Sequence, residues 1–205
     1  MNRSEPLLGA LVSSDETQTL ARLQSQLVER AADRGLLQVA YRTLDSPVGT
    51  LLLAATPIGL VRVAYQSEDH DKVLATLANR VSPRVLFAPA HLDAAAREID
   101  EYFGRRRRNF ELPLDFRLAH GFRRNVLDFL LGIGYGTTAS YATIATAAGS
   151  PQAVRAVGSA CAANPLPLIV PCHRILRSDG TLGGYVGGLD AKRTLLALEA
   201  VKIEC

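Results

Sequence analysis

The sequence is poor in the features that would place it in several large protein classes. Cysteine occurs three times in 205 residues, at Cys161, Cys172 and Cys205. That odd number without paired spacing excludes a disulfide framework. There is no C-x-x-C, and His70, His91, His120 and His173 are scattered, so no metal site and no cofactor are expected. No apolar run approaches the roughly 20 residues that span a bilayer. The opening "MNRSEPLLGALVSSDE" lacks a signal-peptide pattern. A soluble cytoplasmic protein of one or two domains, with no membrane partner, is the expectation.

Net charge is also small. The net value is +3, but its placement is uneven. Up to Leu118 there are 15 basic and 15 acidic residues; from Ala119 onward there are 8 and 5. The excess is mostly arginine (Arg123, Arg124, Arg155, Arg174, Arg177 and Arg193), the side chain that grips phosphate in a bidentate fork. An imbalance of this size does not by itself establish nucleic-acid binding.

What is present divides the chain into three parts. In residues 1–36, an extension, Leu20, Leu23, Leu27 and Ala31 recur at helical spacing before Gly35. That pattern predicts an amphipathic helix over 15–34 resting on the neighbouring domain. Residues 37–118 read as α/β. The runs "LQVAYRTL", "TLLLAAT" and "GLVRVAY" are separated by the turn signals "DSPVG" and "PIG", which predicts a three-stranded antiparallel meander. Helices follow over 69–80 and 90–103, the second stopped by Gly104. Arg105, Arg106, Arg107 and Arg108 then read as a solvated loop, with contact to a phosphate backbone as the alternative. "ELPLD" reads as a strand leading into a linker.

Residues 119–205 carry the chemistry. "GFRRNVLDFLLGI" predicts a helix with Val126, Leu127, Leu130 and Leu131 on one face. A short helix over 141–148 ends at Gly149. Ser150 then caps a second helix, with Pro151 at its first position, running to about Ala163. Two short helices joined by a tight turn outline a helix-turn-helix. The second is built of small residues (Ala153, Ala156, Gly158, Ser159, Ala160) around one cation, Arg155. Such a face suits close packing on another helix. It equally suits entry into a DNA groove, with Arg155 wedged into the base stack.

The stretch "LPLIVPCHRILRSDG" reads as a buried strand ended by Pro171, leaving Cys172 and His173 on a strand-end turn. An imbalance of proton affinity matters there: imidazole can take a thiol's proton, and only the thiolate is a good nucleophile. Cys161 reads as a small hydrophobe and Cys205 as an exposed terminus. The last helix, opening at Asp190, offers Glu199 beside Leu195 and Leu196 as a group to orient His173, provided the fold brings the two together.

From about Val39 to its end, the chain resembles the O6-alkylguanine-DNA alkyltransferases, the methylated-DNA–protein-cysteine methyltransferase family. The specific blocks are "NPLPLIVPCHRI", "SYATIA" with "AVRAVG" upstream, and "GGYVGGLDAKRTLLALE" downstream. "TLDSPVGTLLLAAT" and "YFGRRRRNFELPLD" add to the likeness. The resemblance implies an α/β (α+β) fold. It comprises a ribonuclease-H-like domain with a small antiparallel sheet over 37–118 and a mostly helical domain with a helix-turn-helix over 119–205. It also implies direct DNA repair: one irreversible transfer of the alkyl group from O6-alkylguanine in double-stranded DNA, with O4-alkylthymine left open as a second substrate. The partner is duplex DNA. The protein would be a monomer associated with the nucleoid; cooperative coating of DNA is left open.

In that likeness Cys172 is the acceptor, and His173 the base acting through a water. Glu199 orients His173, and Asn164 braces the turn. Tyr141 rotates the nucleotide out and donates to N3 of the base. Arg155 replaces the flipped base, while Ala153, Ala156 and Gly158 press on the groove. Tyr185, Val186 and Ile175 line the pocket, the backbone near Val186 meeting O6. Val186 stands where many members carry serine, and Leu127 where an aromatic is common. No cysteine in the N-terminal domain matches the zinc site some members have. A non-catalytic lesion binder would lack Cys172, and a cysteine hydrolase would separate its Cys and His in sequence.

Overall fold

The computed structural model describes residues 14–201, so Cys205 lies outside the described residues. The chain divides into two compact units at Leu37/Gln38. In the first, helix α1 (Ser14–Asp33) ends as Gly35 takes a φ of +64° and the Leu36 amide donates back to the Ala31 carbonyl at 2.7 Å. The leucine stripe is not its buried side. Leu20, Leu23 and Leu27 are 62, 51 and 55% exposed, whereas Val28 and Ala31 are buried. Helical spacing defines a stripe, but not which flank of it turns inward.

The second unit opens with the meander: β1 (Val39–Leu44), β2 (Leu51–Ala55) and β3 (Leu60–Tyr65), each antiparallel to the next. Tyr41 pairs with Ala54, and Leu53 with Val63. A fourth strand, β4 (Val85–Phe87), runs parallel to β1 and makes the order β3-β2-β1-β4. The sheet is therefore mixed, not purely antiparallel; a three-residue strand is too short to show alternation in sequence. Leu51, Leu52, Leu53 and Ala54 are all fully buried, as expected of a strand covered on both faces. Val73 and Leu77 of helix α2 (His70–Arg80) join Val39, Leu52, Ala54, Val61, Ala64 and Leu118 in one core.

Helix α3 (Asp93–Phe103) follows a single 3₁₀ turn, Pro89–Leu92, that packs on β1 and β2. "ELPLD" is not a strand. It meets the sheet at one bridge, Leu60 to Leu114, because Pro113 has no amide to extend a ladder.

The C-terminal half is mostly helical. In α4 (Phe122–Leu131), Val126, Leu127 and Leu130 are fully buried, but Leu131 sits at the helix end and is 44% exposed. The Ser140 hydroxyl caps α5 (Tyr141–Ala147) by accepting from the Thr143 amide at 3.0 Å. Ser150 does not cap α6 (Val154–Ala162). Its carbonyl instead closes a turn with the Ala153 amide at 2.8 Å, and the helix starts after Ala153. Ser-Pro opens a type I turn as readily as a helix, so the sequence signal was ambiguous. Helices α4, α5 and α6 pack on one another.

The expected strand before Pro171 is also absent. Leu166, Leu168, Ile169 and Val170 are buried, but in a turn: the Val170 amide donates to the Leu166 carbonyl at 2.8 Å, and Leu168 has a φ of +73°. Pro165 and Pro167 remove two ladder donors. Apolarity announced burial correctly and conformation wrongly. A short parallel pair, β5 (Ala139–Ser140) with β6 (Ile175–Leu176), and helix α7 (Gly188–Leu198) complete the unit.

Candidate active site

Cys172 opens a one-turn 3₁₀ helix, Cys172–Arg174, directly after Pro171. It is 1% exposed. Asn164 holds the preceding turn at both ends. Its Nδ2 donates to the Val170 carbonyl at 3.0 Å and to Cys172 Sγ at 3.2 Å, and its Oδ1 accepts from the Leu166 amide at 2.9 Å. Strand β3 satisfies the start of this turn, where the Val63 amide donates to the Pro165 carbonyl at 2.9 Å; the Asn164 side-chain amide serves the Leu166 amide and the Val170 carbonyl. The same amide points a donor at sulfur.

His173 is fully buried, with Nε2 at 3.1 Å from Glu199 Oε1 and Nδ1 without a hydrogen-bond partner. Glu199 caps the C-terminus of α7 and is the hub of the cluster. Besides His173, its carboxylate accepts from the Tyr102 hydroxyl at 2.7 Å, Arg174 Nη2 at 2.7 Å and the Gly136 amide at 3.1 Å. Burial works to raise its pKa, but the hydrogen bonds from His173 and Arg174 prevail and bring it to about 2. An ionised Glu199 requires Nε2 of His173 to carry a proton, which leaves Nδ1 as the lone-pair nitrogen. Burial also lowers the His173 pKa, against the opposing pull of Glu199, so the imidazole is neutral.

Burial pushes the Cys172 thiol up to about 11, and the Asn164 donor and the Lys192 charge pull the other way. Lys192 is itself fully buried, its Nζ donating to the Ile175 carbonyl at 2.5 Å and the Gly183 carbonyl at 3.4 Å. Desolvation lowers its pKa. At rest the site thus holds a neutral thiol and a neutral imidazole with a free lone pair, a pair that yields a thiolate once the proton moves.

Around this cluster, Ile175 is fully buried, and Tyr185 and Val186 are half-buried. The Tyr185 ring lies edge-on to His173 with centroids 6.3 Å apart. Tyr141, half-buried at the start of α5, has its phenol pushed to about 12 by burial. Its hydroxyl occupies the space a side chain at Gly183 would need, and a Cβ on Gly158 would touch its ring at 4.0 Å. On α6, Arg155 and Ala156 are exposed and Gly158 is half-buried, as is Ala153 just before the helix.

Two family models cover most of the chain. The ribonuclease-like domain of 6-O-methylguanine DNA methyltransferase matches residues 39–116, and the DNA-binding domain of the same enzyme matches 121–201. The chain belongs to the 6-O-methylguanine DNA methyltransferase family. A methylated-DNA–protein-cysteine methyltransferase of Mycolicibacterium paratuberculosis is 38% identical over 161 residues, 78% of this chain and 92% of that one. The crystal structure of the Mycobacterium tuberculosis O6-methylguanine methyltransferase superposes with a TM-score of 0.70 at 37% identity, over 79% of this chain and 93% of that one. The structure of Mycobacterium tuberculosis OGT in complex with DNA gives 0.68 at 36% identity, over 78% and 93%.

Within this methyltransferase fold, several residues of the site escaped the sequence reading. Lys192 had a usable signal: it shares a helical stripe with Leu195, Leu196 and Glu199 on α7, so its burial was foreseeable. Arg174, Tyr102 and Tyr65 had none, because their partners lie far along the chain. The arginine run is not wholly solvated. Arg107 pairs with Glu101 at 2.8 Å and Glu98 at 3.5 Å, while Arg105, Arg106 and Arg108 are exposed. Among the described residues, no helix is long and apolar enough to cross a membrane.

Proposed function

We propose that this methyltransferase repairs O6-alkylguanine in duplex DNA by taking the alkyl group onto Cys172 in one irreversible step. The class of reaction, alkyl transfer from DNA to a protein cysteine, follows from the family. The observation that carries the assignment to Cys172 is the two adjacent buried pairs Asn164–Cys172 and His173–Glu199, with the His173 Nδ1 lone pair unclaimed.

The thiol proton leaves Sγ for His173 Nδ1 by way of a water, and Glu199 stabilises the imidazolium through Nε2. Asn164 Nδ2 stabilises the thiolate. Sulfur then attacks the alkyl carbon in line, the carbon–O6 bond breaks, and its electron pair passes into the purine. Tyr141, protonated up to about pH 12, supplies a hydrogen bond or proton at N3, and solvent later restores the balance. The thioether is stable, so each molecule turns over once. O4-alkylthymine presents a comparable leaving oxygen and is a second candidate substrate.

An O6 substituent lies inside the stack, so the nucleotide must be flipped out at a cost of a few kcal/mol. We assign α5 and α6 as a helix-turn-helix that approaches through the minor groove, where sequence is poorly distinguished. The exposure of Arg155 and Ala156 on α6 supports this, with Arg155 filling the vacated space and Ala153 and Gly158 allowing close approach. Tyr185, Val186 and Ile175 line the receiving pocket. We read residues 37–118 and 119–205 as the two family domains, residues 1–36 as an extension, and the protein as a cytoplasmic monomer that works on nucleoid DNA. A cysteine hydrolase is disfavoured because Asn164 donates to the sulfur instead of orienting the histidine.

The test is incubation with duplex containing O6-methylguanine, followed by intact and peptide mass measurement. One methyl group on the Cys172 peptide is expected. An unmodified cysteine after exposure to excess lesion would end this reading.

A further inference from the structure

Tyr185 is held from outside its own domain. The hydroxyl of Tyr65, the last residue of β3, lies 2.7 Å from the Tyr185 hydroxyl, and the two rings meet edge-on at 5.7 Å. We infer that Tyr65 is a specificity-determining residue of the alkyl pocket: through this hydroxyl pair it sets how far the Tyr185 wall can retreat from Cys172.

Tyr185 sits in "GGYVGG", between Gly183 and Gly184 on one side and Gly187 and Gly188 on the other. Such a stretch moves easily unless something holds it. Lys192 holds its start through the Gly183 carbonyl, and tyrosines pack against the rest. A Cβ on Gly187 would come within 2.7 Å of the Tyr65 ring, so this glycine is required for Tyr65 to lie against the segment. Tyr65 is 2% exposed and cannot drift. Its amide donates to Glu68 Oε1 at 2.9 Å, and Glu68 forms an ion pair with Arg62. Arg62 in turn donates to the carbonyls of Asn164 and Pro165 at 3.3 Å each. One strand end therefore anchors both the turn that carries Asn164 and the wall that carries Tyr185. Burial pushes both phenols above the usual tyrosine range, so both hydroxyls keep their protons and the bond is a neutral one.

Because Cys172 is 1% exposed, an alkylated base reaches it only if part of the surrounding pocket yields, and the Tyr185 segment is the part assigned to that movement. A methyl group asks for a small displacement and a benzyl group for a large one. Removing the hydroxyl pair while keeping the rings should favour the larger group. This inference rests on the alkyl-transfer reading above.

The experiment measures second-order alkylation rates for the wild type, Tyr65→Phe, Tyr185→Phe and the double variant. The two substrates are the same duplex carrying O6-methylguanine or O6-benzylguanine. The benzyl-to-methyl rate ratio is expected to rise about fivefold in each single variant, the factor one neutral hydrogen bond's net worth sets. The double variant should show no more than either single one, since both delete the same bond. An unchanged ratio in Tyr65→Phe, or effects that add in the double variant, would overturn the role of Tyr65. A wild type inert toward both duplexes would overturn the transfer reaction itself, and is seen before any variant is compared.

Discussion

Asn164 is the residue whose loss the structure makes most quantifiable. Replacing it by alanine removes three contacts at once: those to the Val170 carbonyl, the Leu166 amide and Cys172 Sγ. Two of the abandoned partners are backbone groups in a turn whose side chains are buried. The Val170 carbonyl keeps the Cys172 amide at 2.8 Å, so only the Leu166 amide is left unsatisfied, at about 1–3 kcal/mol. With the lost bond to Val170, worth about 1 kcal/mol, Asn164→Ala should lose roughly 2–4 kcal/mol of stability. That is a large part of the roughly 5–15 kcal/mol that holds a typical domain together. Asn164→Asp separates stability from chemistry. It keeps an acceptor for the Leu166 amide but turns an anionic oxygen toward sulfur, so it should raise the thiol pKa and slow alkyl transfer. Urea unfolding measures the first effect, and transfer rate against pH the second. An alanine variant within 1 kcal/mol of wild type, or an aspartate variant that alkylates at the wild-type rate, would refute the bracing role; the threshold is about the size of one ordinary hydrogen bond.

Two other outcomes follow from the same geometry. Glu199 is held at about 2 against an ordinary 4.5, so its contribution is complete above pH 4.5 and disappears as pH falls toward 2, at most about 3 kcal/mol. His173, depressed from 6.5 by burial, acts in the same direction at higher pH: below 6.5 the unfolded chain takes a proton that the folded one refuses. Acid titration of the unfolding free energy should therefore show two stages, and Glu199→Gln should flatten the lower one; identical slopes below pH 4.5 in both proteins would contradict the assignment. Arg155→Ala should slow repair of duplex far more than reaction with free O6-benzylguanine, because only the duplex must be opened; equal losses on both substrates would remove the wedge.

Much of the architecture was legible because it is local. The meander announced itself through three apolar runs and two turn signals, and Gly149 and Gly104 marked helix ends within a residue. Strand β4 was not legible, since three residues in contact with β1 carry no period of their own. The turn before Pro171 shows the limit most clearly: its apolar residues gave away their burial, but two prolines and a side-chain amide decided the path of the backbone.

The candidate site divides along the same line. Cysteine beside histidine, with an asparagine eight residues earlier, stands in one short stretch of chain, so the sequence by itself determined that these candidates lie together and that the chain belongs to its family. The pairing of Glu199 with His173 was expected from the resemblance, but tertiary structure alone decided that Glu199 also receives Tyr102 from 97 residues away. It alone decided that Tyr65 meets Tyr185 across 120 residues. Periodicity records which side chains leave water. It holds no record of which donors then find one another, because that depends on how whole elements pack.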